Sequence, residues 1–145
     1  MKTNVALGTS TFALLSIVIG LAVQAALDLL GAASALAGQI GTFLVAIPLA
    51  LIVGRRVGRL THLSVLAASL GIAVATLWAI VFILNSVAEP AGGHVGWANL
   101  FNELNWRNTV FGSAAMLVVP QLWLSLLNRL AANNSSKPTP LRGAA

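Results

Sequence analysis

The chain contains no cysteine, which excludes structural disulfides, thiolate metal sites, thiol redox exchange and cysteine nucleophiles. Charge is almost as scarce. Charged residues make up 8% of the 145, with Asp28, Glu89 and Glu103 as the only acids, where a soluble domain carries about a quarter. At 58% hydrophobic residues and a mean hydropathy of +0.91, too few polar groups are available to coat a water-facing globule. The solvent must be lipid.

Missing too is any ionisable residue in the middle of the long apolar stretches. Proton relays, ion-coupled carriers and voltage sensors are built from such residues. The net charge of +5 does not mark a nucleic-acid surface, because the Lys and Arg residues sit in small groups beside apolar runs instead of forming one basic face.

What is present is a set of four charge-free windows, from Thr3 to Leu27, Leu29 to Gly54, Thr61 to Ala88 and Asn108 to Asn128. A spanning helix needs roughly 20 apolar residues, so the windows predict transmembrane helices at 5–28, 34–54, 62–86 and 108–129. By alternation, Lys2, the Arg55/Arg56/Arg59 group, Arg129, Lys137 and Arg142 fall on one side. Arg107 falls on the other with all three acids. The positive-inside rule then places both termini in the cytoplasm, in a plasma or other cytoplasmic membrane. Trp78, Trp97, Trp106 and Trp123 fall towards the interfaces in this frame. Residues 1–25 also have the outline of a signal peptide, ending at Val23-Gln24-Ala25. The thin n-region and the length of the charge-free stretch favour an uncleaved first helix.

Short connections predict two antiparallel hairpins. The second is interrupted by a longer outer loop. There Glu89-Pro90-Ala91-Gly92-Gly93-His94 breaks the chain, and Trp97, Leu100, Phe101 and Leu104 follow at the spacing of one helical face. This segment reads as a short amphipathic helix in the outer headgroup region. The expected fold is therefore an all-α integral membrane domain over 1–130, with four transmembrane helices in two hairpins and a polar, disordered tail over 131–145.

Four features are candidate sites. Ala67, Gly71, Ala75 and Ala79, four residues apart on the third helix, form a small-residue stripe that lets another helix approach closely and marks that helix as the expected packing centre. Ser16-x-x-x-Gly20 is a shorter echo on the first. Pro48 and Pro120 are expected to kink their helices and free the carbonyls of Leu44 and Met116. Gln24, Gln39 and Asn85 are the candidates for a polar cavity towards the outer side, with interhelical hydrogen-bond glue the favoured alternative.

No chemical constellation stands out. His62 and His94 fall on opposite faces, which rules out a bis-histidine haem in this topology. Asp28, Glu89, His94 and Glu103 match no ligand spacing. Small multidrug exporters need a glutamate in the first helix, disulfide-generating quinone enzymes need paired cysteines and lipoprotein signal peptidases need two membrane-facing aspartates. None of these is present. No cofactor or metal is implied, and catalysis is the least favoured reading. The pattern points to an accessory, assembly or immunity-type subunit that packs against a membrane partner, another protein or a second copy. The rival reading is a small homo-oligomeric channel or carrier for a small uncharged or weakly polar solute.

Overall fold

A computed structural model of the protein describes residues 4–31, 35–88 and 106–135. Every element in these stretches is a helix: α1 (Val5–Leu29), α2 (Ala35–Gly41), a π-helical turn (Thr42–Ala46), α3 (Ile47–Val57), α4 (His62–Ala88) and α5 (Trp106–Ser135). Four helical stretches are long and apolar enough to cross a membrane: Val5–Leu29, Gly38–Val57, His62–Ser86 and Val110–Ser135. The proposed outer helix with Trp97, Leu100, Phe101 and Leu104, together with Glu89, His94 and Glu103, lies outside the described residues. So does the tail from 136.

Two helix ends differ from the sequence expectation. Arg55 and Arg56 lie inside the last turn of α3, where long basic side chains can reach polar surroundings without ending the helix. α5 continues to Ser135, so residues 131–135 are helical although polar. Charge and polarity mark where a helix leaves lipid, not where its hydrogen bonds stop.

Local chemistry sets the other boundaries. The Asn4 side chain accepts from the Ala6 N–H at 3.0 Å and caps α1. α1 ends before Gly31, whose φ of 72° is left-handed and suits a residue without a Cβ. Thr61 and Ser64 cap α4 reciprocally: Thr61 Oγ1 accepts from the Ser64 N–H at 3.2 Å, and Ser64 Oγ accepts from the Thr61 N–H at 3.0 Å.

The helices form a ring. α1 packs against the second span (α2, the π turn and α3) and against α4, while α5 packs against α4 and α3. The core lies where α1, α3, α4 and α5 meet, built from Phe12, Ile47, Ala50, Leu51, Val65, Ala68 and Leu124. α1 and the second span touch most closely through glycines. A Cβ on Gly58 would meet the carbonyl oxygen of Asn4 and stand 2.7 Å from the Gly8 nitrogen, and one on Gly54 would stand 3.1 Å from the Gly8 oxygen. Further along, Gly20 faces Thr42, and the Gln24 side chain lies over Gly38. Lipid gives helices no hydrophobic reason to associate, so close backbone contact is the main attraction left. Gly58 is extended, at φ −158°, a conformation open to any residue. Its glycine is required by proximity alone.

This corrects the expectation that the third span is the packing centre through its small stripe. Ala67, Gly71, Ala75 and Ala79 are all exposed, and nothing lies within 4 Å of where a Gly71 Cβ would be. α4 packs through Val65, Ala68 and Ser69 instead. Ser69 and Gly71 are two residues apart, about 200° around an α-helix, so the stripe points away from the chain's own bundle.

Candidate functional site, a cavity inside the helix ring

Above the core, the ring encloses a partly open cavity of ≈ 270 Å³ to which all four spans contribute. α1 supplies Phe12, Ser16, Gly20 and Gln24, among others. Thr42, Phe43 and Ile47 come from the second span, Ser69, Ile72 and Thr76 from α4, and Met116 and Pro120 from α5. No charged side chain among the described residues lines it. Among the described residues no three His, Asp or Glu come together.

The walls carry four hydroxyl groups, and three of them are committed. Ser16 Oγ donates to the Phe12 carbonyl at 2.8 Å, Thr42 Oγ1 to the Gly38 carbonyl at 2.9 Å and Thr76 Oγ1 to the Ile72 carbonyl at 2.8 Å. This is the usual i−4 arrangement of hydroxyls in helices. Ser69 differs: it is 2% exposed, and its Oγ has no hydrogen-bond partner.

Both proline-bearing spans border the cavity, and their irregularities have separate consequences. In the second span the hydrogen-bond ladder shifts to i+5, as shown by the Ile47 N–H bonding to the Thr42 carbonyl. With that shift, the N–H that Pro48 lacks is the one that would have gone to Phe43, not Leu44. The Phe43 carbonyl is satisfied from across the bundle, accepting from Trp123 Nε1 at 2.9 Å. Trp123 thus turns its polar end into the protein instead of towards the headgroups. In α5, Pro120 lies within the helix and has no N–H to give the Met116 carbonyl.

Of the residues singled out for a polar cavity, only Gln24 lines it. Its Nε2 also donates to Asp28 Oδ1 at 3.1 Å, one turn along the same helix. Gln39 is exposed and reaches towards Gly112 on α5. Asn85 is half-buried and does not belong to the cavity wall. The sequence did not single out the hydroxyls of Ser16, Thr42, Ser69 and Thr76 as cavity groups. Their signal was depth, one each in the first and second spans and two in the third, all well inside the charge-free windows.

Towards the arginine-bearing end, His62 and Gln121 form a reciprocal pair. Gln121 Nε2 donates to the His62 carbonyl at 3.1 Å, and Gln121 Oε1 lies 2.7 Å from His62 Nδ1. The amide orientation makes Nδ1 the donor. Arg55 Nη1 reaches the Leu127 carbonyl at 3.3 Å. These contacts tie α4 and α3 to α5 and account for three polar side chains, His62, Gln121 and Arg55, as fasteners.

The described residues form an all-helical fold with four helices long and apolar enough to cross a membrane. No protein-family model, curated protein or solved structure matches the chain.

Proposed function

We propose that the protein is a non-catalytic integral membrane subunit, of accessory, assembly or immunity type, that receives a transmembrane helix of a partner on α4. The observation that carries this reading is the outward stripe of Ala67, Gly71, Ala75 and Ala79, all exposed and empty at Gly71. Small residues at four-residue spacing are how helices approach in lipid, and this face is not used by the chain itself. The reading includes two antiparallel hairpins, cytoplasmic termini, and an outer amphipathic helix carrying Trp97, Leu100, Phe101 and Leu104 as a second contact surface. The partner is another membrane protein or a second copy.

The test is affinity capture from membranes in mild detergent, read by mass spectrometry, for the parent chain and for Gly71→Leu and Ala75→Leu. A partner lost from both variants while each stays folded supports the reading, since added methylenes block close backbone approach without touching the core. Undiminished capture overturns it.

The cavity favours a second reading, a small homo-oligomeric channel or carrier for an uncharged or weakly polar solute. In that case Pro48→Ala and Pro120→Ala abolish a transport signal in vesicles, and leucines on the stripe leave it intact.

A further inference from the structure

We infer that the cavity inside the helix ring is a binding site for one small, uncharged, mainly apolar molecule bearing a hydroxyl or carbonyl oxygen, held by a hydrogen bond from Ser69. The inference stands apart from the partner-packing role. It shares the cavity with the carrier reading, but requires no transport.

Size comes first. A dry apolar cavity of about 150 Å³ holds a benzene-sized molecule. The ≈ 270 Å³ here therefore suits a molecule of roughly ten to fifteen non-hydrogen atoms, below the usual range of drug-sized sites.

Charge comes next. No ionisable side chain among the described residues lines the walls, and a charged guest at membrane depth would stay uncompensated. The guest is neutral. Phe12, Phe43, Ile47, Ile72 and Met116 present apolar surface to most of it.

The polar handle is Ser69. A buried hydroxyl without a partner is costly in a low-dielectric interior, and the other three cavity hydroxyls avoid that cost by bonding a carbonyl four residues back. Ser69 Oγ does not; it is buried in the cavity wall and, turned inward, has a proton free to donate to a guest. The guest needs an acceptor oxygen. If that oxygen also carries hydrogen, the hydroxyl oxygens of Ser16, Thr42 and Thr76 retain lone pairs to receive it. The irregular backbone points the same way: the π turn and Pro120 both border this cavity, and departures from regular helix at membrane depth are tolerated where they face protein or a cavity.

The experiment uses the full chain in lipid nanodiscs with 4-hydroxybenzophenone, a neutral photoreactive phenol of suitable size. Unsubstituted benzophenone is the control, and adducts are mapped by mass spectrometry. The expected result is saturable labelling centred on cavity residues such as Met116. Ser69→Ala, which only removes an unpartnered hydroxyl, should raise the half-saturating concentration about 3- to 10-fold. Unsubstituted benzophenone should resemble that variant. Gly20→Leu, whose side chain would project from the cavity wall, should abolish saturable labelling, whereas Gly71→Leu on the far side of α4 should leave it unchanged. Non-saturable labelling spread over lipid-facing leucines overturns the site. Labelling indifferent to Ser69→Ala and to the probe's hydroxyl overturns the role of Ser69. Binding without solute flux would remove the carrier reading alone, and a failed partner capture leaves the site untouched.

Discussion

Substituting alanine for three glycines separates the contacts that hold the bundle together from those that do not. Gly58→Ala is the severe case. Its Cβ would meet the Asn4 carbonyl oxygen, the Gly8 nitrogen at 2.7 Å and the Gly8 Cα at 2.9 Å, all backbone, so α1 must move as a unit. Overpacking of this kind costs about 1–3 kcal/mol. Gly58 stands beyond the end of α3 and recovers no helix propensity in return, which leaves a net loss of about 2 kcal/mol. Gly54→Ala meets the Gly8 oxygen at 3.1 Å and Phe12 Cβ at 3.2 Å. It sits within α3 and regains up to about 1 kcal/mol of propensity, so it should lie within about 1 kcal/mol of the parent. Gly71→Ala meets nothing within 4 Å and should gain between about 0.5 and 1 kcal/mol. The two extremes differ by about 3 kcal/mol on these figures. Unfolding by SDS in mixed micelles, followed by helical circular dichroism, resolves such a spread. Gly71→Ala as damaging as Gly58→Ala, or Gly58→Ala indistinguishable from the parent, would refute the assignment of the close crossing.

Three further outcomes are expected. Trp123→Phe should cost about 1–3 kcal/mol by stranding the Phe43 carbonyl. Pro48→Ala should remove much of that cost by returning an N–H to the ladder, so a double-mutant cycle in the same unfolding assay should be non-additive, and strict additivity would dissociate the two sites. Cysteines placed by Ser135→Cys and Gly93→Cys, alone in an otherwise cysteine-free chain, should react with an impermeant maleimide from opposite sides of the membrane. Reaction of both from outside would reverse the charge-based orientation. A spin label at 101 should be shielded from aqueous quencher and one at 99 exposed. Equal exposure would make the outer segment a solvated loop instead of an interfacial helix.

The spans were legible because charge is expensive in lipid: the windows around Asp28, Arg55, Arg59 and Arg129 locate the four helices long and apolar enough to cross a membrane, although α5 runs on to Ser135, six residues beyond the expected end at 129. Which face of each helix packs was not legible. Amphipathic patterning shows a core only where the other face meets water, and α1 and α4 are apolar all round. Small residues were the remaining clue, and they are common in this chain. The stripe on α4 has the more regular spacing, yet the contact inside the bundle uses Gly8 against Gly54 and Gly58, a pair also four residues apart and straddling the end of α3. For the cavity, long amides drew attention because they are conspicuous in an apolar run. Serine and threonine are quieter, since they usually bond their own helix. Ser69 is distinguishable from Ser16 only once the bonds can be counted.

The π turn at Thr42–Ala46 has a meaning for the history of the chain. A helix that takes up one extra residue can keep the phase of both ends by widening a single turn, so the turn is equivalent to an insertion already absorbed. The side chains at its outward bulge, Leu44 and Val45, are exposed, and either could be lost with Gly38 and Gly54 still facing α1. A homologue with a straight second span would then align with this one across a single-residue gap at that point, undisturbed on either side. Because Pro48 has no N–H in either form, loss of Leu44 or Val45 would place Phe43 four residues before the proline with its carbonyl still unpaired, and the indole at 123 would keep its acceptor. Length in the second span could then vary while the tryptophan of the fourth is retained, because it answers the proline and not the wide turn.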